Sequence, residues 1–197
     1  MYAAGAAGAG ILALAQSADA KIIYTPAHVV IRGDSLPYGL DLNHDGIPDF
    51  ELRNWLARGA SSSWNSVSVA SPVKGKNGVE AARGKFRTYA YALVPGVSIG
   101  SKPPFDGIAM MIASGNQGPW YKVANRYLGL KFQIRGKYHY GWARLTVRGR
   151  YDRIVATLTG YAYETIPNKP IIAGKTKGPD VIMVRPGSLG ALAAGRK

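Results

Sequence analysis

Between residues 127 and 135 apolar and polar side chains alternate. Leu128, Leu130, Phe132 and Ile134 fall on one side, with Tyr127, Lys131, Gln133 and Arg135 on the other. A period of two marks a strand with one buried face. Gly136-Lys137 predicts a tight turn, Tyr138–Val147 a returning strand, residues 148–150 a second turn, and Ile154–Tyr163 a third strand. This three-stranded meander has one apolar face to cover, and the covering sheet is expected from the N-terminal half. Upstream, Lys21–Tyr24 and His28–Ile31 read as short strands split by Pro26. Ser66–Ala70 and Lys85–Leu93 read as further strands, and residues 60–66 as a polar loop. Breakers at residues 33–35, 74–78, 95–96, 101–104 and 114–119 separate these runs. Gly and Pro together contribute 37 residues and Tyr 12, which favours many turns and strands over helices. The predicted architecture is all-β, a two-layer antiparallel β-sandwich with disordered or helical terminal segments.

One segment carries chemistry in its spacing. Residues 41–49 read Asp-Leu-Asn-His-Asp-Gly-Ile-Pro-Asp. Asp41, Asn43, Asp45 and Asp49 set side-chain oxygens at loop positions one, three, five and nine. Gly46 takes position six, where a calcium loop turns sharply, and Ile47 offers a backbone carbonyl at seven. Three carboxylates so close repel one another, and a hard divalent cation relieves them. These five residues are therefore the candidate Ca²⁺ ligands; the alternative is an Asp/Asn-rich turn. Leu52 stands where an EF-hand has its bidentate Glu, and the flanks, Tyr38–Leu42 and Asp49–Arg53, pattern as strands.

Charge and the chain ends add context. The formal net charge is +14; residues 1–60 carry 4 basic and 6 acidic side chains, residues 61–197 carry 21 and 5. Such a basic surface attracts polyanions, an acidic polysaccharide among them, or serves solubility alone. No nucleic-acid motif accompanies it, so no specific nucleic acid is expected. Cysteine is absent, which excludes disulfides and thiolate metal sites. Residues 3–20 are small and apolar, and Ala18-Asp19-Ala20 fits a secretory cleavage rule that would start the mature chain at Lys21; an Ala-rich first helix is the alternative. Residues 1–20 thus read as a signal-like segment, 21–172 as the β-domain, and 173–197 as linker and tail. Neither end supplies the roughly 20 apolar residues of a stable membrane span.

The D-x-N-x-D-G-x-x-D loop resembles the calcium loops of FG-GAP and integrin-type propeller repeats. It is present once, without the internal repetition of a propeller. The tail from Gly187 to Lys197 resembles, in shortened form, the sorting tails of PEP-CTERM-type exported bacterial proteins. Residues 125–132, His139–Val147 and Gly160–Ile171 resemble a pattern found in uncharacterised proteins of that exported group. The resemblance implies a secreted or surface-displayed bacterial β-domain and carries no catalytic residues.

The remaining candidates are weaker. Tyr138, Tyr140 and Trp142 share a strand face with Arg144: exposed, the face would contact a glycan or polyanion, as in a carbohydrate-binding module; packed, it is core. Lys74, Lys76, Arg83, Lys85 and Arg87 surround a Gly-rich loop and read as a solvated basic stretch. His28, His44 and His139 match no zinc spacing. Asp106, Asp152 and Glu164 are the acids from which a glycosidase-like pair would have to be drawn. No nucleophile–base constellation is visible, so the expectation is a calcium-stabilised structural or surface protein without enzymatic activity. A non-specific polyanion binder is the remaining alternative.

Overall fold

A computed structural model describes residues 21–178, apart from residues 34, 73, 74, 86, 115, 116 and 150–152. The signal-like segment, the sorting tail and Asp152 lie outside the described residues, as does Lys74. The described residues form strands and turns and no helix. The strands run β1 (Ile22–Ile31), β2 (Tyr38–Leu40), β3 (Phe50–Arg58), β4 (Ser63–Ala70), β5 (Gly78–Arg83), β6 (Thr88–Ala90), β7 (Ser98–Ile99), β8 (Phe105–Asp106), β9 (Ile108–Ala113), β10 (Arg126–Ile134), β11 (Lys137–Arg148), β12 (Val155–Glu164) and β13 (Ile171–Ile172). The expected all-β class holds. Its layers are one continuous sheet, ordered β1-β12-β11-β10-β5-β6-β9-β4-β3-β2, that bends round until it nearly closes. β8 pairs with β5, and β7 and β13 form a separate small sheet.

The alternation read from the sequence sets the inner face. Leu128, Leu130 and Phe132 of β10 meet Ala143, Leu145 and Val147 of β11 and Phe50, Leu52, Val67 and Val69 of β3 and β4 in one core. The tight turn after β10 lies one residue earlier than the pattern suggested. Ile134 pairs with Lys137, and Arg135 and Gly136 both take positive φ, 49° and 77°. That is the backbone of a type I′ hairpin, whose twist matches the strands it joins.

Several elements differ from expectation. Pro26 does not split the first strand: β1 runs through it with a bulge between Pro26 and Val29. β1 is an edge strand, where a missing N–H costs no ladder bond. Residues 63–66 belong to β4 rather than to a polar loop, and among the described residues of 85–93 the strand is confined to Thr88–Ala90. β5 and β9 were not legible, since Gly78–Arg83 buries a glutamate and Ile108–Ala113 is a continuous apolar run. Finally, the meander has two apolar faces. Ile22, Tyr127, Tyr140, Trp142 and Ala162 form a second cluster on its outer side, covered by Ile99 and Ile171 of the small sheet and by Ala173. The packed body therefore extends past residue 172.

Where the ends of the sheet approach each other, a buried amide pair joins them. Asn65 on β4 donates to the Asn54 side-chain oxygen (2.6 Å) and to the Trp55 carbonyl (2.9 Å), and accepts from the Ile154 N–H (2.7 Å). Asn54 on β3 donates to the carbonyls of Ile31 (3.1 Å) and Ile154 (2.8 Å). β3 and β4 are thereby tied to the end of β1 and the start of β12. Gly33 permits this approach: a Cβ there would sit 2.4 Å from that of Leu56.

Candidate metal centre

Residues 41–49 connect β2 to β3, whose last and first residues, Leu40 and Phe50, pair antiparallel. The loop thus has the strand flanks its patterning predicted. Its base is closed by the Asp49 N–H donating to the Leu40 carbonyl at 2.9 Å. Leu42, fully buried, plugs the sheet interior and packs on Gly141 of β11, where a Cβ would lie 2.8 Å from its Cδ2 and 2.7 Å from the Ala162 carbonyl. On the other side, His44 Nε2 lies 2.8 Å from Thr25 Oγ1 of β1, and its ring lies beside that of Tyr161. The loop therefore bridges the β2–β3 hairpin to β1, β11 and β12 at one end of the sheet.

Within the loop the acidic side chains organise the backbone. Asp41 accepts from the N–H groups of His44 (2.7 Å), Asp45 (3.3 Å) and Gly46 (2.8 Å). Asp45 accepts from Ile47 N–H (2.9 Å) and from the Asn43 amide (2.9 Å). Asp49, buried, accepts from Leu42 N–H at 2.9 Å. His44 and Gly46 turn with φ of 60° and 86°, and at Gly46 only glycine does so freely. The Ile47 side chain is exposed and has no donor atom, so any contribution of this residue to a metal comes from its carbonyl. Asn77, at the entrance to β5, donates to the Asp49 carbonyl (3.1 Å) and accepts from the Gln133 N–H (3.1 Å), clamping the loop to β10.

Two features of this arrangement fit a hard cation. Asn43 Oδ1 is buried without a hydrogen-bond partner. Burial, with repulsion from Asp41 and Asp45 added, pushes the Asp49 carboxyl up to about 6, against the pull of its Leu42 and Asn77 hydrogen bonds. A divalent ion would satisfy the first and relieve the second. Among the described residues no three His, Cys, Asp or Glu side chains converge as a ready cage. Calcium also takes amide and backbone oxygens, and a carboxylate that accepts N–H bonds keeps lone pairs free. Asp41, Asn43, Asp45, Asp49 and the Ile47 carbonyl are thus the residues that would hold it. Around the loop run two grooves, one of about 560 Å³ with Asn43, Asp45, Arg135 and Lys137 in its walls, the other of about 230 Å³ with Asp45, Asp49 and Lys76.

The other candidates resolve differently. Tyr138, Tyr140, Trp142 and Arg144 do share the outer face of β11, but Tyr140 and Trp142 are buried. Trp142 packs edge-on against Tyr127 (5.2 Å) and donates to the Lys175 carbonyl at 3.2 Å. Arg144 bonds Thr159 through its side-chain oxygen (2.8 Å) and its carbonyl (3.0 Å), and Tyr138 receives the Lys131 ammonium over its ring. The packed reading holds, and no open three-ring platform remains for a glycan. His139 is buried against Phe132 and Tyr163, with Nδ1 2.9 Å from the Glu164 carbonyl. Asp106 sits 3.5 Å from Arg83, and buried Glu164 sits 3.6 Å from Lys169.

Sequence reasoning missed one titratable group. Glu80 on β5 is buried on the outer face, laid across Gly129, with Oε2 lacking any partner. Burial pushes its carboxyl from 4.5 up to about 7. The folded chain therefore holds this proton more tightly than the unfolded chain does. The resulting stability is complete below about 4.5 and is lost as pH rises through about 7. Glu80→Gln is expected to remove that loss. In urea unfolding between pH 5 and pH 9, the variant should gain roughly 2–3 kcal/mol over wild type by pH 8, at about 1.4 kcal/mol per unit. Parallel stability curves would contradict the assignment.

No protein-family model matches the chain, and no curated protein or solved structure matches it either.

Proposed function

We propose that the chain is an exported, calcium-stabilised β-domain with a structural or surface-associated role and no enzymatic activity. The observation that carries this reading is the position of the acidic loop. Its oxygens, one of them buried and unpaired on Asn43, lie where the β2–β3 hairpin meets β1, β11 and β12. A cation held there would cross-brace the two ends of a sheet that does not close on itself. The metal acts by linkage, since binding only the folded form adds RT ln(1 + [L]/Kd) to stability. Asp106 and Glu164 are engaged by Arg83 and Lys169, which supports a non-catalytic role for both.

Thermal unfolding with calcium and with chelator tests the proposal. At a hundredfold excess over Kd, calcium should stabilise the wild type by about 2.7 kcal/mol, raising Tm by several degrees. Asp45→Ala should abolish that gain while leaving the chelated protein nearly as stable as wild type, because Asp45 is exposed. Identical melts for wild type with calcium and with chelator would rule the site out. Mass spectrometry of exported protein should place the mature amino terminus at Lys21.

A further inference from the structure

The outer face of β3, β4 and β9 carries a second feature, built from residues outside the acidic loop. Trp55 is 70% exposed and Trp64 38% exposed, although indole is among the side chains most favoured for burial. Both lie on the same side of the β3–β4 hairpin. Trp55 pairs with Ser66 and Ala57 with Trp64, so the two rings are diagonal neighbours. Between Trp55 and β9 runs a groove of about 380 Å³, floored by Ser66 and Ser68, with Arg53 and Trp55 on one wall and Arg87 and Met110 on the other. Arg87 reaches in from the β6 side: its guanidinium lies 5.1 Å from the centre of the Trp64 ring and 3.3 Å from the Met110 sulfur. It has no acidic partner among the described residues, whereas Arg53 is paired with Glu51.

From this we infer that the β3–β4–β9 groove binds an acidic oligosaccharide, a chain of uronic-acid-type sugars. The apolar face of a pyranose ring stacks on the exposed indole of Trp55. Its hydroxyls meet the Ser66 and Ser68 side chains on the groove floor. Its carboxylate meets the guanidinium of Arg87, held in place by Trp64 and presenting donors in the planar fork that suits a carboxylate. Charge density favours this occupant over a nucleic acid. A single strand of nucleic acid carries a phosphate at every nucleotide and needs a track of cations. Here one guanidinium is free, a second is neutralised by Glu51, and the Glu51 carboxylate itself would repel a dense polyanion. The net charge of +14 raises the local concentration of any acidic glycan around the groove. None of this depends on the calcium loop.

Titration of the full chain with oligogalacturonate, followed by calorimetry and tryptophan fluorescence, tests the inference. Binding is expected with a shallow salt dependence, as befits one or two engaged cations. Trp55→Ala and Arg87→Gln should each weaken it by roughly tenfold or more. Neither should alter the calcium response of the melting curve, which separates failure of this site from failure of the metal site. An uncharged cello-oligosaccharide should bind wild type no better than oligogalacturonate binds Arg87→Gln. Absence of oligogalacturonate binding by wild type overturns the inference. So does binding unchanged in both variants, or oligo-dT binding more tightly than the sugar and losing its affinity in Trp55→Ala.

Discussion

Replacing Asn65 with alanine is expected to cost the fold about 3–5 kcal/mol, a large share of the 5–15 kcal/mol typical of a domain. The estimate follows from what the truncation leaves behind. Asn65 is 1% exposed, and its amide satisfies three groups at once: the Ile154 N–H, the Asn54 side-chain oxygen and the Trp55 carbonyl. Each buried polar group left without a partner costs about 1–3 kcal/mol. The loss is confined to the place where β3 and β4 meet the ends of β1 and β12, so no neighbouring strand can slide in to replace the amide. Urea unfolding of the variant measures it directly. A loss under about 1 kcal/mol with an unchanged m-value would show that the amide pair does not hold the sheet ends together.

Trp142→Ala should be about as damaging, at roughly 3–5 kcal/mol, through a different mechanism. Trp142 is fully buried, and its ring packs against Tyr127 and Tyr24 beneath the small β7–β13 sheet. Truncation opens a cavity there and frees the Lys175 carbonyl from its indole donor. Trp142→Phe separates the two effects. It keeps much of the volume and loses the hydrogen bond with a small residual void, so it should cost less than the alanine variant, about 1–2 kcal/mol. In hydrogen exchange, Trp142→Phe should lower protection around Ile171–Lys175 while leaving β3 and β4 unchanged. Uniform loss of protection across the whole sheet would contradict a separate outer cluster.

The parts of the fold that were legible are those where a single buried face imposes alternation. Leu128, Leu130 and Phe132 announce β10 and its inner side; Phe50 and Leu52 do the same for β3. The loop at 41–49 was legible because its spacing is set by local turn geometry. What escaped was set by partners distant in the chain. Asn54 and Asn65 look like loop residues, yet they are core residues because Ile31 and Ile154 supply their complements. Glu80 disguised β5, since a carboxylate at an apolar position contradicts the pattern that strand reading relies on. For Tyr138, Tyr140 and Trp142, period two showed that they share a face but not that Ile99 and Ile171 would cover it. The same limit applied to Trp55 and Trp64, whose exposure depends on no other described strand covering the outer side of β3 and β4.

The sheet order also sets a timetable. β1 opens the described chain, yet its ladder partner is β12, with Ile22 opposite Glu164 and Ile31 opposite Ala156. A chain emerging amino end first, from a ribosome or a secretion pore, must hold that leading ribbon unpaired until nearly the whole domain has followed. The hairpin of β2 and β3, by contrast, needs only the nine residues between its strands. Assembly on a moving chain therefore starts at the acidic turn and finishes with the first of the described strands to appear, a topology of the slow-folding kind.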